Sequence, residues 1–279
     1  GPQSQLALSS SDKSTTESLD HVSEKNSRGH SRSSCSPHDS STLNPANTCI
    51  GINAGVIALT YTSVSLNGNA VVNGNVYLDH YSQMQLAGNS YINGIVYASR
   101  TTNLKHTKIS QVNGGISYSN ISLTTSLNDF SSKLSKLKPT VSLSRINKSI
   151  IIKGNGAINI IKAQEIKLSS HHSIILTGSK TDRFIFNVED GFQLSGQASI
   201  LVSGDVRAEN VIFNMIGHSC KDMQISGNAV VNGTLLGVNR EAHVSGNGKL
   251  RGSIIAKNKI HVSGNGFIFE EAVYCPENP

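Results

Sequence analysis

Between Gln224 and Phe269 the chain writes almost the same phrase three times, an apolar residue, a spacer, Gly and Asn, at Ile225 to Asn228, Val244 to Asn247 and Val262 to Asn265. Related phrases stand earlier at Leu66 to Asn69, Leu86 to Asn89, Ile152 to Asn155 and, with Gln as the fourth residue, Leu194 to Gln197. Gly68 and Gly88 are 20 residues apart, Gly227 and Gly246 are 19, and Gly246 and Gly264 are 18. A step of that size is what one turn of a three-sided β-solenoid consumes. One such turn cannot bury its inward side chains alone; stacking the next turn on it makes a continuous core.

Gly and Asn tolerate positive φ at low cost, so Gly68, Gly88, Gly154, Gly196, Gly227, Gly246 and Gly264 are expected at the corners. Between corners, apolar residues alternate as in strands with one face turned inward. Val71, Leu86, Ile92, Val96, Ile225, Val230, Leu235, Val244, Leu250, Ile254, Ile260, Val262 and Ile268 are the expected core. A β-sandwich is the rival architecture, and Asn73-Gly74, Asn93-Gly94 and Asn232-Gly233 are hairpin-type pairs that would suit it. The near-constant step favours the solenoid, because sandwich hairpins need no fixed period.

One segment departs from this grammar. Leu123, Leu127, Phe130, Leu134 and Leu137 fall at steps of 4, 3, 4 and 3, a single helical stripe. A helix is expected at about 124–137, capped by Thr124 or Thr125 and stopped by Pro139. Alone it would be marginal, so it must bury its stripe against the solenoid wall.

Residues 1–48 are dominated by Ser and charge and are expected to form a disordered leader, with His21, His30 and His38 solvated. Gly1-Pro2 reads as the remnant of a cleaved tag, and the solenoid domain is expected over 49–279. No apolar run is long enough for a membrane-spanning helix. Cys35, Cys49, Cys220 and Cys275 are too scattered for a metal knuckle. Cys49, Cys220 and Cys275 flank the repetitive region, so a disulfide among them is expected in an oxidising compartment, with buried free thiols as the other reading.

The helix, the strand Phe184-Ile185-Phe186 and the Gly-punctuated coils after Asn210-Val211-Ile212-Phe213 together resemble the bacterial ice-binding and adhesin β-solenoid proteins. The ending, from Ile225 through Gly266, is also similar to the choice-of-anchor A domain of bacterial surface proteins. The resemblance covers roughly Ser122 to Phe269. It implies a right-handed β-solenoid with one flanking α-helix, displayed outside the cell, and no enzyme. Ice binding in related solenoids resembles a flat face of regularly spaced Thr. Here Thr60, Thr62, Thr177 and Thr234 form no ladder at the repeat spacing.

The residues point to recognition more than to chemistry. Acids are thinly spread, the Gly-rich corners lack a phosphate-loop continuation, and no nucleophile elbow is present. His171-His172 is read as a solvated pair, and neither a cofactor nor a metal is expected. Charge is more telling: residues 100–167 carry eleven Lys and Arg against Asp129 and Glu165. Lys105, Lys108, Lys133, Lys136, Lys138, Arg145 and Lys148 are therefore expected to form a basic patch for a polyanionic glycan or cell-surface polymer. Nucleic acid is not expected as a partner, for want of a reading helix or stacking platform. Tyr77, Tyr91 and Tyr97 are candidates for stacking on sugar rings. The sequence thus reads as a secreted or surface-displayed binding module, with an ice-binding protein and a carbohydrate-active β-helix enzyme as the alternatives.

Overall fold

The computed structural model describes residues 52–272, in which 23 short strands, all paired in parallel, wind around one core. The rungs form three walls. The first is a ladder of ten, running from Val141–Ile146 through Ile158–Leu168, Arg183–Val188, Val211–Met215, Val230–Gly237 and Lys249–Ala256 to Val56–Ala58, Val76–Leu78, Val96–Ala98 and Ile116–Tyr118. Residues 52–120 are part of the same stack.

The order of rungs is not the order of the chain. Val56 pairs with Ile254 and Ile57 with Ile255, so the first described turn stacks on the last one. From there residues 56–118 climb away to one end, the helix Thr124–Ser135 carries the chain back, and the remaining turns run from the far end to the seam. At the seam Ser63–Leu66 lies on Lys259–Val262, and Val71–Asn73 on Phe267–Glu270.

Local chemistry explains the corners. Gly68, Gly88, Gly196, Gly227, Gly246 and Gly264 all have φ near +60°, and each backbone lies directly over the next. A Cβ on Gly246 would meet the Gly227 nitrogen and carbonyl oxygen at 3.1 and 3.2 Å, so a side chain is disfavoured by both conformation and space. Gly154 is not in this column. It lies against the Asp182 carboxylate, and the residue that occupies its expected corner is Ser170, at φ 53°. Ser170 lacks a Gly-Asn signature, which hid it from the repeat.

Beside the glycines runs a column of five asparagines, Asn228, Asn247, Asn265, Asn69 and Asn89. From Asn247 onward, each side-chain amide donates to the carboxamide oxygen of the asparagine before it, at 2.9 to 3.4 Å. The exposed ladder ties these five turns together without an apolar contact.

Eleven of the thirteen expected core residues are buried; Val71 and Val230 are not. In both turns the Ala after Gly-Asn, Ala70 and Ala229, already faces inward, so alternation sends Val72 and Val231 to the core and their predecessors out.

The helix covers the middle of the first wall. Leu127, Phe130 and Leu134 pack on Ile57, Ile185, Ile212, Leu236, Ile255 and Tyr77 in a second apolar layer outside the main core. Its 12 residues span about 18 Å, roughly the length of four rung spacings. Neither Thr124 nor Thr125 caps it. The buried Asp79 carboxylate, from the turn below, accepts hydrogen bonds from the Leu123 and Thr124 N–H groups at 2.8 and 2.9 Å and from the Thr124 hydroxyl at 2.7 Å. At the other end Asn187 donates to the Leu134 carbonyl, and Ser131 donates to Asn214.

Candidate binding walls

With the middle of the first wall covered, the second and third walls are open along their length. The second carries Asn103–His106, Gln83–Leu86, Ser63–Leu66, Lys259–Val262, Ala242–Val244, Met223–Ile225, Phe192–Leu194 and the end of Ile158–Leu168. Alternation turns one polar row outward along it: Gln85, Ser65, His261, His243, Gln224, Gln193 and Lys167. The third wall is more apolar. Ile151, Ile175 and Leu201 line up outward on successive rungs, and Phe269 and Tyr91 are partly exposed further along. The Arg251 guanidinium covers the Phe269 ring at 4.9 Å and pairs with Glu271 at 3.3 Å.

The expected basic patch does not form as one surface. Lys105 lies on the last rung of the second wall, and Arg145 precedes Ile146, which pairs with Ile166 at the opposite end. Eight rung spacings separate them, roughly 38 Å. Lys133, Lys136 and Lys138 sit at the end of the helix, Lys108 opens the short 3-10 turn Ile109–Gln111, and Lys148 precedes Ile150–Lys153. Arg145 faces Glu165 at 3.7 Å and Lys162 faces Glu189 at 3.3 Å, which removes part of the local excess. Residues contiguous in sequence were split because the helix returns the chain to the far end of the stack.

Two of the three candidate stacking tyrosines are also displaced. Tyr77 is only 3% exposed, and Tyr97 stacks on it at 4.6 Å, the pair packing into the apolar layer under the helix. Tyr91 remains open on the third wall. The aromatic pair offered to solvent is instead Tyr61 and Tyr81, 66% and 49% exposed, stacked at 4.9 Å with their planes 14° apart. Both occupy successive corners in the left-handed region, φ 62° and 60°. A bulky residue there is strained by roughly 1 kcal/mol or more. Polar side chains frame the rings: His80 with Thr101 at 3.1 Å, and Gln83 donating to Ser63 at 3.3 Å. The sequence signal was a Tyr in the corner register at two points 20 residues apart, visible only once the turns are aligned.

Cys220 is disulfide-bonded; Cys35, Cys49 and Cys275 lie outside the described residues, as do the Ser-rich leader and its histidines. Around Cys220, the turns 189–190 and 216–221 are held by one buried residue. Arg240 donates to the carbonyls of Glu189, Ile216 and Lys221 at 3.1, 2.7 and 2.9 Å, and also to that of Asp190. Burial pulls its guanidinium down to about 10, against the pull of Asp190 and Asp222. The Asp190 carboxylate beside it is held below its ordinary range chiefly by the Lys221 ammonium at 2.7 Å.

A depression of about 560 Å³ is lined by Lys180, Arg183, Asp205, Arg207 and Glu209, three cations and two acids on its rim. On the second wall Asp222, Glu241 and His243 bring one ligand-type atom each within 4.8 Å of one another. Among the described residues no helix is long and apolar enough to cross a membrane.

The family model of an ice-binding-like adhesive domain matches residues 42–268. No curated protein sequence matches the chain. Solved structures similar to it include an ice-binding protein from an Arctic yeast, at 12% identity and TM-score 0.57, covering 78% of this chain and 90% of the other. An ice-binding protein from the Antarctic ascomycete Antarctomyces psychrotrophicus is similar at 15% identity and TM-score 0.53, covering 76% and 92%. An ice-binding protein domain from Shewanella frigidimarina is similar at 14% and 0.54, covering 77% and 93%.

Proposed function

Because the chain belongs to the ice-binding-like adhesive domain family, we propose that it is a non-enzymatic adhesive module, displayed outside the cell, that grips an extended saccharide along its open walls. The observation that carries this reading is the Tyr61–Tyr81 ledge. Two large rings stay in solvent and in a strained backbone conformation, framed by hydroxyl, imidazole and carboxamide groups. Such a ledge offers flat apolar area to the C–H face of a sugar ring and polar partners to its hydroxyls. The disulfide at Cys220 suits an oxidising compartment. With the cations divided between the two ends of the stack, a polyanion would have to span roughly 38 Å to engage both groups. A neutral or weakly charged chain at the ledge is the simpler ligand.

Ice is the second reading, and the fold favours it: the similar structures named above are those of ice-binding proteins. The wall chemistry favours the saccharide. Thr62 and Thr234 are buried, and the outward rows carry Lys249, Arg251, Phe269 and Tyr91 in place of small repeated groups. One sample decides between them. Retention on a panel of immobilised glycans, lost in Y61S/Y81S, with no thermal hysteresis, supports the saccharide. Inhibition of ice recrystallisation by both wild type and Y61S/Y81S, with no glycan retained, would establish the second reading and overturn the first.

A further inference from the structure

Going beyond that reading, we propose that Asp222, Glu241 and His243 form a divalent transition-metal site on the second wall. The repeat builds it. Met223 pairs with Ala242 and Gln224 with His243, so the preceding residues Asp222 and Glu241 stand side by side on adjacent turns. Like charges at such positions destabilise a sheet unless a cation lies between them. The group that reaches between them is the His243 imidazole, whose Nε2 is 3.3 Å from Asp222 Oδ2 and 3.8 Å from Glu241 Oε2.

That spacing is close to what a metal needs. Tetrahedral ligands about 2.0–2.2 Å from a zinc ion lie roughly 3.4 Å from one another. The 3.3 Å pair already fits, and the remaining atoms, all within 4.8 Å, close by small side-chain rotations. One imidazole with two carboxylates is a donor set of intermediate softness, suited to Zn²⁺, Co²⁺ or Mn²⁺ rather than to Ca²⁺, which takes oxygen alone. The three side chains are 29 to 34% exposed, so solvent or a ligand can complete the coordination.

The neighbouring turn extends the site. His261 is in register with His243, their ring centroids 6.2 Å apart. Burial, then Lys259 and His243, hold the His261 imidazole below its ordinary range. Lys259, in register with Glu241 by the same pairing, and Arg240, whose charge acts on Asp222, are the other cations at the cluster. They moderate the affinity of the carboxylates for a metal without occupying the space between them.

The test is titration of the full, disulfide-intact chain, stripped with EDTA, with ZnCl₂ by calorimetry and with CoCl₂ by visible absorption. His21, His30 and His38 are also present, so wild type is compared with H243A and with D222N/E241Q in the same chain. The outward side chains make both variants foldable, which metal-free unfolding curves check. The expected result is a Zn²⁺ site weakened at least about tenfold in each variant, with loss of the intense Co²⁺ bands of a four-coordinate site. Zn²⁺ and Co²⁺ titrations that are the same for wild type and both variants, or no heat and no bands at all, would overturn the proposal.

Discussion

Arg240 allows a test that separates geometry from charge. The side chain is 2% exposed and its two terminal nitrogens reach four backbone carbonyls on two other turns. Replacing it by Met keeps most of the volume and strips the donors. Four orphaned carbonyls at about 1–1.5 kcal/mol each amount to about 5 kcal/mol. Against this stands the cost of holding a buried cation. A pKa drawn from 12.5 to about 10 corresponds to about 3 kcal/mol. The difference predicts that R240M loses about 2 kcal/mol. Lysine keeps the buried charge but lacks the planar fork and cannot satisfy four carbonyls on different turns. R240K should therefore lose at least as much as R240M. Equilibrium urea unfolding with the disulfide intact measures both. If R240K came within 0.5 kcal/mol of wild type, charge and not the fork would be holding these turns, and the reasoning would be wrong.

Three further outcomes follow from the same geometry. Asp79→Asn should cost about 1–2 kcal/mol and raise amide exchange in the first helical turn, because the carboxylate caps the N-terminus of the helix; unchanged exchange at Leu123 and Thr124 would count against it. Gly252→Ala should abolish folding or lose more than about 4 kcal/mol, since its Cβ would lie 1.8 Å from the Gly233 oxygen, whereas Gly115→Ala, at φ 76° with open space around it, should lose about 1–2 kcal/mol; equal losses by thermal unfolding would refute the steric account. Asp182 sits below its ordinary carboxylate range, burial opposing but outweighed by bonds from Ser179, Asn159 and Gly156, and Asp190 sits below its own through Lys221. Both therefore contribute stability that is complete above the unfolded-state value, near 3.8, and is lost as pH falls through their lower folded values. Urea midpoints should fall below pH 4, and D182N/D190N should flatten that fall; an unaltered slope would refute the assignment.

The solenoid was legible because its period is a covalent regularity: each Gly at φ near +60° must sit over another, so spacing in sequence becomes register in space. The helix was legible through its stripe, but its cap was not, because Asp79 is 44 residues from Leu123 and only the stack brings them together. The same limit hid the candidate sites. Lys105 and Arg145 look like neighbours in composition and stand at opposite ends, while Tyr77 looks like an exposed strand residue and lies under the helix. A single-sequence reading places a residue on a strand, inward or outward; which outward face is covered depends on where the helix lands.

The seam sets what the walls can do. Val262 lies beside Leu66 and Phe269 beside Asn73, so each open wall runs without a break from residues near the end of the chain to residues near its beginning. Glu270 seals the junction by accepting the Asn75 N–H at 3.0 Å, and Asn53 bridges Ala272. Tyr61 stands on the turn that forms the seam and Tyr81 on the turn after it. A ligand gripping the ledge and reaching His261 or His243 would thus hold the two halves of the stack together. Binding along the second wall should therefore raise the unfolding temperature of the whole stack, whereas binding at the far end near Arg145 would leave the seam untouched. A ligand-induced shift that survived substitution of the Val56 and Ile254 rung would locate the contact away from the seam.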